Sequence, residues 1–335
     1  MPRRGYLTSC VGSADHGDIV KILVVGAGAV GSLIGAHLTE GGLTVHLVGR
    51  PEHVAAIRSR GLRVSGERER VVLMEASETI PAGFEVDASL VTTKTFDLAA
   101  ATAELTRALP PHPVLFLQNG LGILPAAQDA LRAGGWQDVA PYAVQGVNFV
   151  SATLVGPGEV RETGFVQILL PVPGEAGPAA GSARLFRMLF ERAQVVVEAV
   201  PEFAREVWRK ALLNAAVNPV TAVHGVKNGA VLEEPLRTEA LELLGEALAV
   251  ARAAGFGFTS EELTRDFDRV IRASADNRSS MLQDLERGRT TEIDAISGEI
   301  LREAARHGLE LPATQAIVAR VTALSARPRP GAQPS

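Results

Sequence analysis

The segment from Lys21 to Val48 constrains the fold of this chain more than any other. A short apolar run over 21–25 is followed at once by the motif Gly-x-Gly-x-x-Gly, then by a helical pattern over 32–40 and a second strand pattern over 44–48. Strand, glycine motif, helix and strand within about 30 residues are typical of Rossmann-type dinucleotide-binding domains. The predicted cofactor-binding loop consists of Gly26, Ala27, Gly28, Ala29, Val30 and Gly31.

The residues after the second strand indicate which dinucleotide is bound. NAD sites place an Asp or Glu there to hold the ribose 2′-hydroxyl, whereas this chain has Gly49-Arg50-Pro51. A guanidinium can form paired hydrogen bonds with a 2′-phosphate that a carboxylate would repel. Arg50 therefore predicts NADP(H), although the nearby Glu52 keeps NAD open as an alternative.

Two further strands end in polar residues. Lys94 follows a strand pattern over 88–93, and Asn119 follows one over 114–117. Ligands of open parallel sheets bind beyond the carboxyl ends of strands, so both residues are placed to contact cofactor or substrate. The alternative for the Asn119-Gly120 pair is an ordinary turn, which these two residue types favour.

The second half of the chain changes to patterns rich in Ala, Leu, Glu and Arg that predict helices. A chain of 335 residues exceeds the usual size of one core, so two domains are expected. We predict an α/β architecture, with a Rossmann-type dinucleotide-binding domain over 20–200 and an all-α substrate and catalytic domain over 201–325. Tails are expected over 1–19, predicted to be disordered, and over 326–335. A cleft between two such domains would be a favoured place for a small-molecule site.

A polar stripe marks the first of these predicted helices. Lys210, Asn214 and Asn218 are spaced four residues apart in an otherwise apolar segment, so they lie along one helix face. A helix that is apolar nearly all round is expected to be buried, and buried polar groups need partners. The stripe therefore predicts a site where one ammonium and two amides meet a polar ligand.

A second polar segment lies about 80 residues further on, where Ser279-Ser280 and Thr291-Glu292-Ile293-Asp294 flank helix boundaries. Thr291 has the spacing of an N-cap with Asp294 as its partner, which would place Glu292 in the first turn of the following helix. Acids in first turns are common because they suit the helix dipole, so a purely structural role for Glu292 stays open. Ser279 and Ser280 likewise suit a helix start.

Composition excludes several classes of protein. The formal net charge is −5, and the chain has a single cysteine and seven scattered histidines. We therefore expect no nucleic-acid partner and no metal site. No apolar run approaches the roughly 18 residues of a membrane span, and the basic start lacks the apolar stretch of a signal peptide. A cytoplasmic protein is expected, and the apolar face predicted over 236–254 is compatible with a homodimer.

Taken together, these motifs resemble the ketopantoate reductase (2-dehydropantoate 2-reductase) family over about 21–323. Besides the glycine motif, the resemblance rests on Gln118-Asn119-Gly120, the lysine–asparagine stripe with Pro219, Thr221 and Ala222, Asn228-Gly229, Ser279-Ser280-Met281 with Asp284, and Thr291 to Asp294. It implies NADPH-dependent reduction of 2-dehydropantoate to (R)-pantoate in pantothenate biosynthesis, on the route to coenzyme A.

The resemblance also implies roles for individual residues. Lys210 would be the general acid and Glu292 its essential carboxylate partner, close to the cofactor. The implied contacts to the 2′-phosphate are Arg50 and Lys94. The implied substrate-binding residues are Asn119, which also lies near the nicotinamide, and Asn214, Asn218, Asn228 and Ser280.

Two alternatives stay open. The first is an NADP-dependent reductase of a different 2-oxo acid, since the segment over 160–171 departs from the family pattern while the catalytic stripe would look the same. The second, less favoured, is an NADP-binding sensor without turnover. A sensor need not retain Lys210, Glu292 and Ser280 together, and this chain has all three.

Overall fold

The computed structural model describes residues 20–66 and 68–326. The described residues fold as two compact units, the first formed by 20–66, 68–93, Asp97–Gln118 and Leu124–Pro201, and the second by Lys94–Phe96, Asn119–Ile123 and 202–326. The predictions for the tails over 1–19 and 326–335 lie outside the described residues, Ala326 excepted. The division into units assigns two short loops of the N-terminal half, Lys94–Phe96 and Asn119–Ile123, to the second unit.

The first unit contains two β-sheets. Its strands are β1 (Lys21–Val25), β2 (Thr44–Val48), β3 (Leu62–Ser65), β4 (Arg70–Val72), β5 (Glu75–Ser77), β6 (Ala88–Val91), β7 (Val114–Phe116), β8 (Ala143–Gln145), β9 (Val147–Gly156), β10 (Glu159–Pro171) and β11 (Val196–Val200). Six strands form a wholly parallel sheet in the order β5-β2-β1-β6-β7-β8. In the mixed second sheet, β11-β10-β3-β4 are neighbours and β9 pairs with β10.

The parallel sheet has the topology of a nucleotide-binding fold. The chain leaves β1 toward β2 on one side, and later returns to β6 on the other side of β1. Val25 and Val91 end these two strands in register. Strand order thus reverses between β1 and β6, and such a switch point is where open α/β sheets bind ligands.

Helices of the first unit cover the apolar sheet. They are α1 (Ala29–Glu40), α2 (Pro51–Arg60), α3 (Leu98–Ala108), α4 (Ile123–Ala133) and α5 (Ala180–Arg192). Ile22 and Val24 of β1 share one buried core with Leu33 of α1 and Phe186 of α5. Strands covered on both faces consist of apolar residues, because no side faces water.

The second unit is helical. It consists of α6 (Phe203–His224), α7 (Leu236–Ala253), α8 (Ser260–Ala273), α9 (Ser280–Glu286), α10 (Glu299–Arg306) and α11 (Pro312–Ser325), with a 3-10 turn at Asn228–Leu232 and a π-helical turn at Asp294–Gly298. Helix α6 is central and packs against α7, α9 and α11. None of the helices in the described ranges has the length and apolarity needed to cross a bilayer.

Helix α6 separates an apolar stripe from the polar one. Leu212, Ala216 and Val220 are four residues apart and wholly buried in the core of this unit. The polar stripe is offset from this set by two residues, which turns it through about 200° on an α-helix. The packing of Leu212 and its partners therefore fixes where the polar stripe points.

Candidate active site

The glycine loop has the geometry of a phosphate cradle. Gly26 has φ +108°, and a Cβ there would lie 2.6 Å from the Thr93 nitrogen. A Cβ on Gly31 would lie 2.3 Å from the Gly26 oxygen, so only glycine lets α1 start this close to β1. The N–H groups of Ala29, Val30 and Gly31 donate no hydrogen bond within the described residues. These free donors at a helix N-terminus fit a pyrophosphate.

Arg50 follows β2 in the same unit and begins α2 as its N-cap, ahead of Pro51. Its side chain is exposed and forms no ion pair or hydrogen bond with the described part of the chain. Glu52, the residue that left NAD open, is also exposed in the first turn of α2. Both side chains are therefore available to a cofactor.

Lys210 lies on α6, and its pKa falls to about 7. Burial of the ammonium is the main cause, because a charged group loses hydration there, and the attraction of Glu292 only partly opposes the shift. An ammonium with this pKa can give up its proton near neutral pH and take one back from water. The side chain thus has the property expected of a general acid.

Three of the predicted asparagines have side-chain amides that form no hydrogen bonds within the described residues. Asn218 is 7 % exposed, and Asn214 is partly buried. Neither side chain forms a hydrogen bond with any described residue, and the same holds for the amide of Asn119. Buried amides are normally paired, so amides left open next to an ammonium indicate a site that receives a polar ligand.

Glu292 is buried and firmly held. Its Oε1 accepts hydrogen bonds from the backbone nitrogen of Thr95 at 3.0 Å and from the Thr95 hydroxyl at 2.8 Å. Its Oε2 accepts one from the Lys94 ammonium at 3.3 Å. The residue is 5 % exposed, so these bonds replace the water that the carboxylate has lost.

Lys94 joins Glu292 to a second buried carboxylate. Its Nζ lies 2.6 Å from Oδ2 of Asp284, which is 4 % exposed. Burial alone would lower the pKa of Lys94, but attraction by Glu292 and Asp284 raises it above the usual value. Burial raises the pKa of Asp284, against the pull of Lys94. The implied contact of Lys94 with a 2′-phosphate stays a prediction, and the ion pairs give this residue a different environment.

The predicted capping arrangement around Glu292 is wrong. No side chain caps the π-helical turn, whose N-cap position is Ile293 rather than Thr291. Glu292 precedes the helix instead of occupying its first turn, and it faces Thr95 and Lys94. Single π-helical turns occur often at functional sites, which fits this position beside the carboxylate.

The Asn119-Gly120 loop serves both as a turn and as a part of the site. Gly120 has φ +109°, and a Cβ there would lie 2.3 Å from the Ala295 oxygen in the π-helical turn. The Asn119 carbonyl accepts a hydrogen bond from the Thr95 hydroxyl at 3.2 Å. Both interpretations of the pair therefore apply, with the backbone turning while the amide of Asn119 stays open.

Three other predicted residues lie at the start of α9 or contact the segment that precedes it. Ser279 is the cap of α9, because its hydroxyl accepts from the Leu282 nitrogen at 3.1 Å. Ser280 is exposed and lies one turn before Asp284 on the same helix. Asn228 donates from Nδ2 to the Ser274 hydroxyl at 3.2 Å, while its buried Oδ1 has no partner in the described residues.

The predicted residues thus divide into groups. One group meets around Glu292 in the second unit, with Lys94, Lys210 and the Asn119 loop. Asn214 and Asn218 follow Lys210 on α6, whereas Asn228 bonds to the segment before α9. The glycine loop and Arg50 belong to the first unit. The sequence does not indicate a role for Thr95, because only its position after Lys94 distinguishes it. Asp284 was given no role either, although its position one turn after Ser280 on a predicted helix could have indicated one.

A parallel sheet with a glycine phosphate loop, followed by a helical unit that contains a buried lysine and carboxylate, is typical of nicotinamide-dependent oxidoreductases. Residues 22–173 match the family described as ketopantoate reductase PanE/ApbA, and residues 202–325 match its C-terminal part. The chain belongs to this family, whose members use a nicotinamide dinucleotide. Both the motif resemblance and the predicted α/β fold class with a helical C-terminal part are confirmed.

Individual relatives agree with this assignment. The 2-dehydropantoate 2-reductase of Pyrococcus horikoshii is 32 % identical over 88 % of this chain and 93 % of its own. The PanE/ApbA family ketopantoate reductase from Ralstonia eutropha superposes with a TM-score of 0.78 at 29 % identity, covering 91 % of this chain and 98 % of that one. D-mandelate dehydrogenase, solved with NADH and anilino(oxo)acetate, reaches 0.82 at 23 % identity with the same coverage and shares the fold.

Proposed function

We propose that this chain reduces 2-dehydropantoate to (R)-pantoate with NADPH, as a step of pantothenate biosynthesis. The observation that carries the proposal is Lys210, whose pKa lies near 7 beside the held carboxylate of Glu292. Names of relatives at about 30 % identity supply the substrate. The exposed, unpaired Arg50 supports NADPH over NADH, because a guanidinium suits a 2′-phosphate.

The chain's own residues account for the proton side of the reaction. The nicotinamide cofactor, when bound, supplies the hydride that forms the new C–H bond at the ketone carbon. Lys210 stabilises the negative charge that develops on the carbonyl oxygen, donates its proton there and becomes a neutral amine. Water then returns the proton to Lys210. Hydride and proton together convert the ketone into an alcohol, so atoms and charge balance.

Other residues would bind the cofactor and orient the substrate. The glycine loop and the first turn of α1 would hold the pyrophosphate, and Arg50 the 2′-phosphate. Asn119, Asn214 and Asn218 offer amide donors to the carboxylate and hydroxyl of the substrate without adding charge. Asn228 and Ser280 are proposed for the same polar set. Glu292 would orient Lys210 or accept from the substrate hydroxyl.

The direct test follows NADPH absorbance with 2-dehydropantoate, 2-oxoisovalerate and larger 2-oxo acids, each repeated with NADH. We expect 2-dehydropantoate with NADPH to give the highest kcat/KM. Faster turnover of another oxo acid would identify a different reductase of the same chemistry. NADPH binding with no turnover of any oxo acid would contradict the proposal in favour of a sensor.

The matched variant is Lys210→Ala. We expect kcat to fall by about 10²- to 10⁴-fold, the usual contribution of general acid catalysis. The dissociation constant for NADPH, measured by fluorescence, should change little because the glycine loop is untouched. Lys21→Ala, which removes an exposed lysine paired with Glu85, is the control and should retain full activity. Near-normal turnover of Lys210→Ala would remove Lys210 from the mechanism.

A further inference from the structure

Glu292 and Asp284 present two buried carboxylates to one ammonium. Lys94 lies 2.6 Å from Asp284 and 3.3 Å from Glu292, and all three belong to the second unit. A single cation between two acids leaves a net negative charge, which has to be balanced by other groups nearby. Among the described residues, Lys210 of α6 interacts electrostatically with Glu292, and Arg289 of the segment after α9 interacts with Asp284.

The same contacts fix the carboxylate of Glu292. Thr95 occupies Oε1 with two donors, and Lys94 occupies Oε2. Lys94 is in turn held by its ion pair with Asp284. Its side chain is 34 % exposed, and its ammonium contacts both acids. Loss of Lys94 would therefore free one oxygen of Glu292 and leave two buried acids with less positive charge, which is costly in a desolvated site.

We propose that Lys94 and Asp284 are a positioning pair that holds Glu292 and balances its charge, and thereby sets how readily Lys210 releases its proton. Neither residue needs to touch the substrate for this role. The inference rests on the proposed function for its catalytic readout, and adds to it the residues that tune the general acid.

The two members of the pair should act in opposite directions. Lys94→Met removes a positive charge near Glu292, so Lys210 holds its proton more tightly and the basic limb of the kcat profile moves to higher pH. Asp284→Asn removes a negative charge, so the limb moves to lower pH. We expect shifts of about one pH unit each, the lower end of what a nearby charge produces.

Two more variants complete the test. Lys94→Arg keeps the charge and should return the limb to the wild-type position. The double variant Lys94→Met with Asp284→Asn removes one charge of each sign, so its limb should lie close to that of wild type. If Lys94→Met fails to fold, Asp284→Asn and the double variant still have to give the expected order.

Matched controls remove comparable charges elsewhere. Asp268→Asn breaks a pair with Arg237 on α7, and Lys21→Met breaks one with Glu85. Neither should move the limb. The reactivity of Lys210 with acetic anhydride, followed by mass spectrometry across the pH range without cofactor or substrate, gives the same midpoint independently of turnover.

The outcomes separate this inference from the proposed function. Absence of turnover with any 2-oxo acid in the wild type contradicts the proposed function. A limb that persists in Lys210→Ala contradicts the role of Lys210 as the general acid and overturns the inference with it. Loss of the limb in that variant, together with no shift or shifts of equal sign in Lys94→Met and Asp284→Asn, overturns the inference alone. So does a result in which Lys94→Met raises only the KM for NADPH, since that assigns Lys94 to the 2′-phosphate.

Discussion

At the scale of single residues, the environment of Lys210 decides what its ammonium can do. Desolvation of its ammonium by burial outweighs the attraction of the Glu292 carboxylate. Lys94 has two carboxylates within 3.3 Å, and there attraction outweighs desolvation. The same residue type is therefore suited to act as an acid in one place and as a counter-ion in the other, because attraction by carboxylates outweighs desolvation only at Lys94.

The pKa of Lys210 predicts opposite pH dependence for the two directions of the reaction. Reduction needs the protonated ammonium, so its kcat should fall about tenfold per pH unit above pH 7 or so. Oxidation of pantoate needs the neutral amine, so its kcat should rise through the same range. Steady-state kinetics between pH 5.5 and 9.5 in a constant-ionic-strength buffer measures both. Parallel profiles in the two directions would contradict the assignment of Lys210.

Arg50 predicts the choice of cofactor. Arg50→Ala should raise the KM for NADPH by about 10- to 100-fold, since a charge-assisted hydrogen bond contributes roughly 1.5–3 kcal/mol. The KM for NADH should stay within about twofold, because NADH carries no 2′-phosphate. Arg58→Ala is the matched control, an exposed arginine on the same helix. Equal loss with both cofactors would show that Arg50 acts on something other than the 2′-phosphate.

At the scale of elements, the glycine motif and the spacing on α6 could be interpreted from sequence because each depends on local periodicity. The four-residue spacing of Lys210, Asn214 and Asn218 predicts that they share one helix, and the structure places all three on Phe203–His224. The side-chain capping of the helix after Glu292 was not predictable from sequence. A capping prediction considers only residues close in sequence. Here the carboxylate of Glu292 accepts a hydrogen bond from Thr95, almost 200 residues away in sequence.

The loop over 119–123 allows a comparison of two glycines. Gly120 and Gly122 both have positive φ, at +109° and +69°, but only Gly120 approaches another backbone, that of Ala295. Gly122→Ala should lose about 1–2 kcal/mol of unfolding free energy from backbone strain alone. Gly120→Ala has to displace the π-helical turn as well, so it should be less stable than Gly122→Ala and should also lower kcat. Urea unfolding and steady-state kinetics of both variants measure the difference.

Equal stability and equal activity in the two variants would show that the approach of Gly120 to Ala295 is unimportant. The comparison needs no other control, because both substitutions are the same chemical change in one loop. The two variants differ in crowding, because a Cβ added at Gly122 would meet no atom within 4 Å outside its chain neighbours.

At the scale of the whole molecule, the chain order and the two units do not coincide. Lys94–Phe96 and Asn119–Ile123 follow strands of the parallel sheet, yet they belong to the helical unit. This assignment could not be derived from sequence, since composition and periodicity place both loops in the first half of the chain. Its consequence is that residues 202–326 alone contain Asp284 and Glu292 but lack Lys94 and Thr95, which form hydrogen bonds with these carboxylates.

A fragment of residues 202–326 tests this dependence, because Asp284→Asn should change the unfolding free energy differently in the fragment and in the full chain. In the full chain, Asp284→Asn loses the ion pair with Lys94 and should reduce the unfolding free energy by about 1.5–3 kcal/mol, the usual contribution of a hydrogen bond to a charged group. In the fragment Lys94 is gone, so replacing a poorly solvated carboxylate by a neutral amide should be neutral or stabilising. Asp268→Asn is the control, because its partner Arg237 is present in both chains and the loss should be the same. Urea unfolding of the six proteins gives the two differences, and an equal loss for Asp284→Asn in both backgrounds would show that Lys94 does not stabilise the carboxylate.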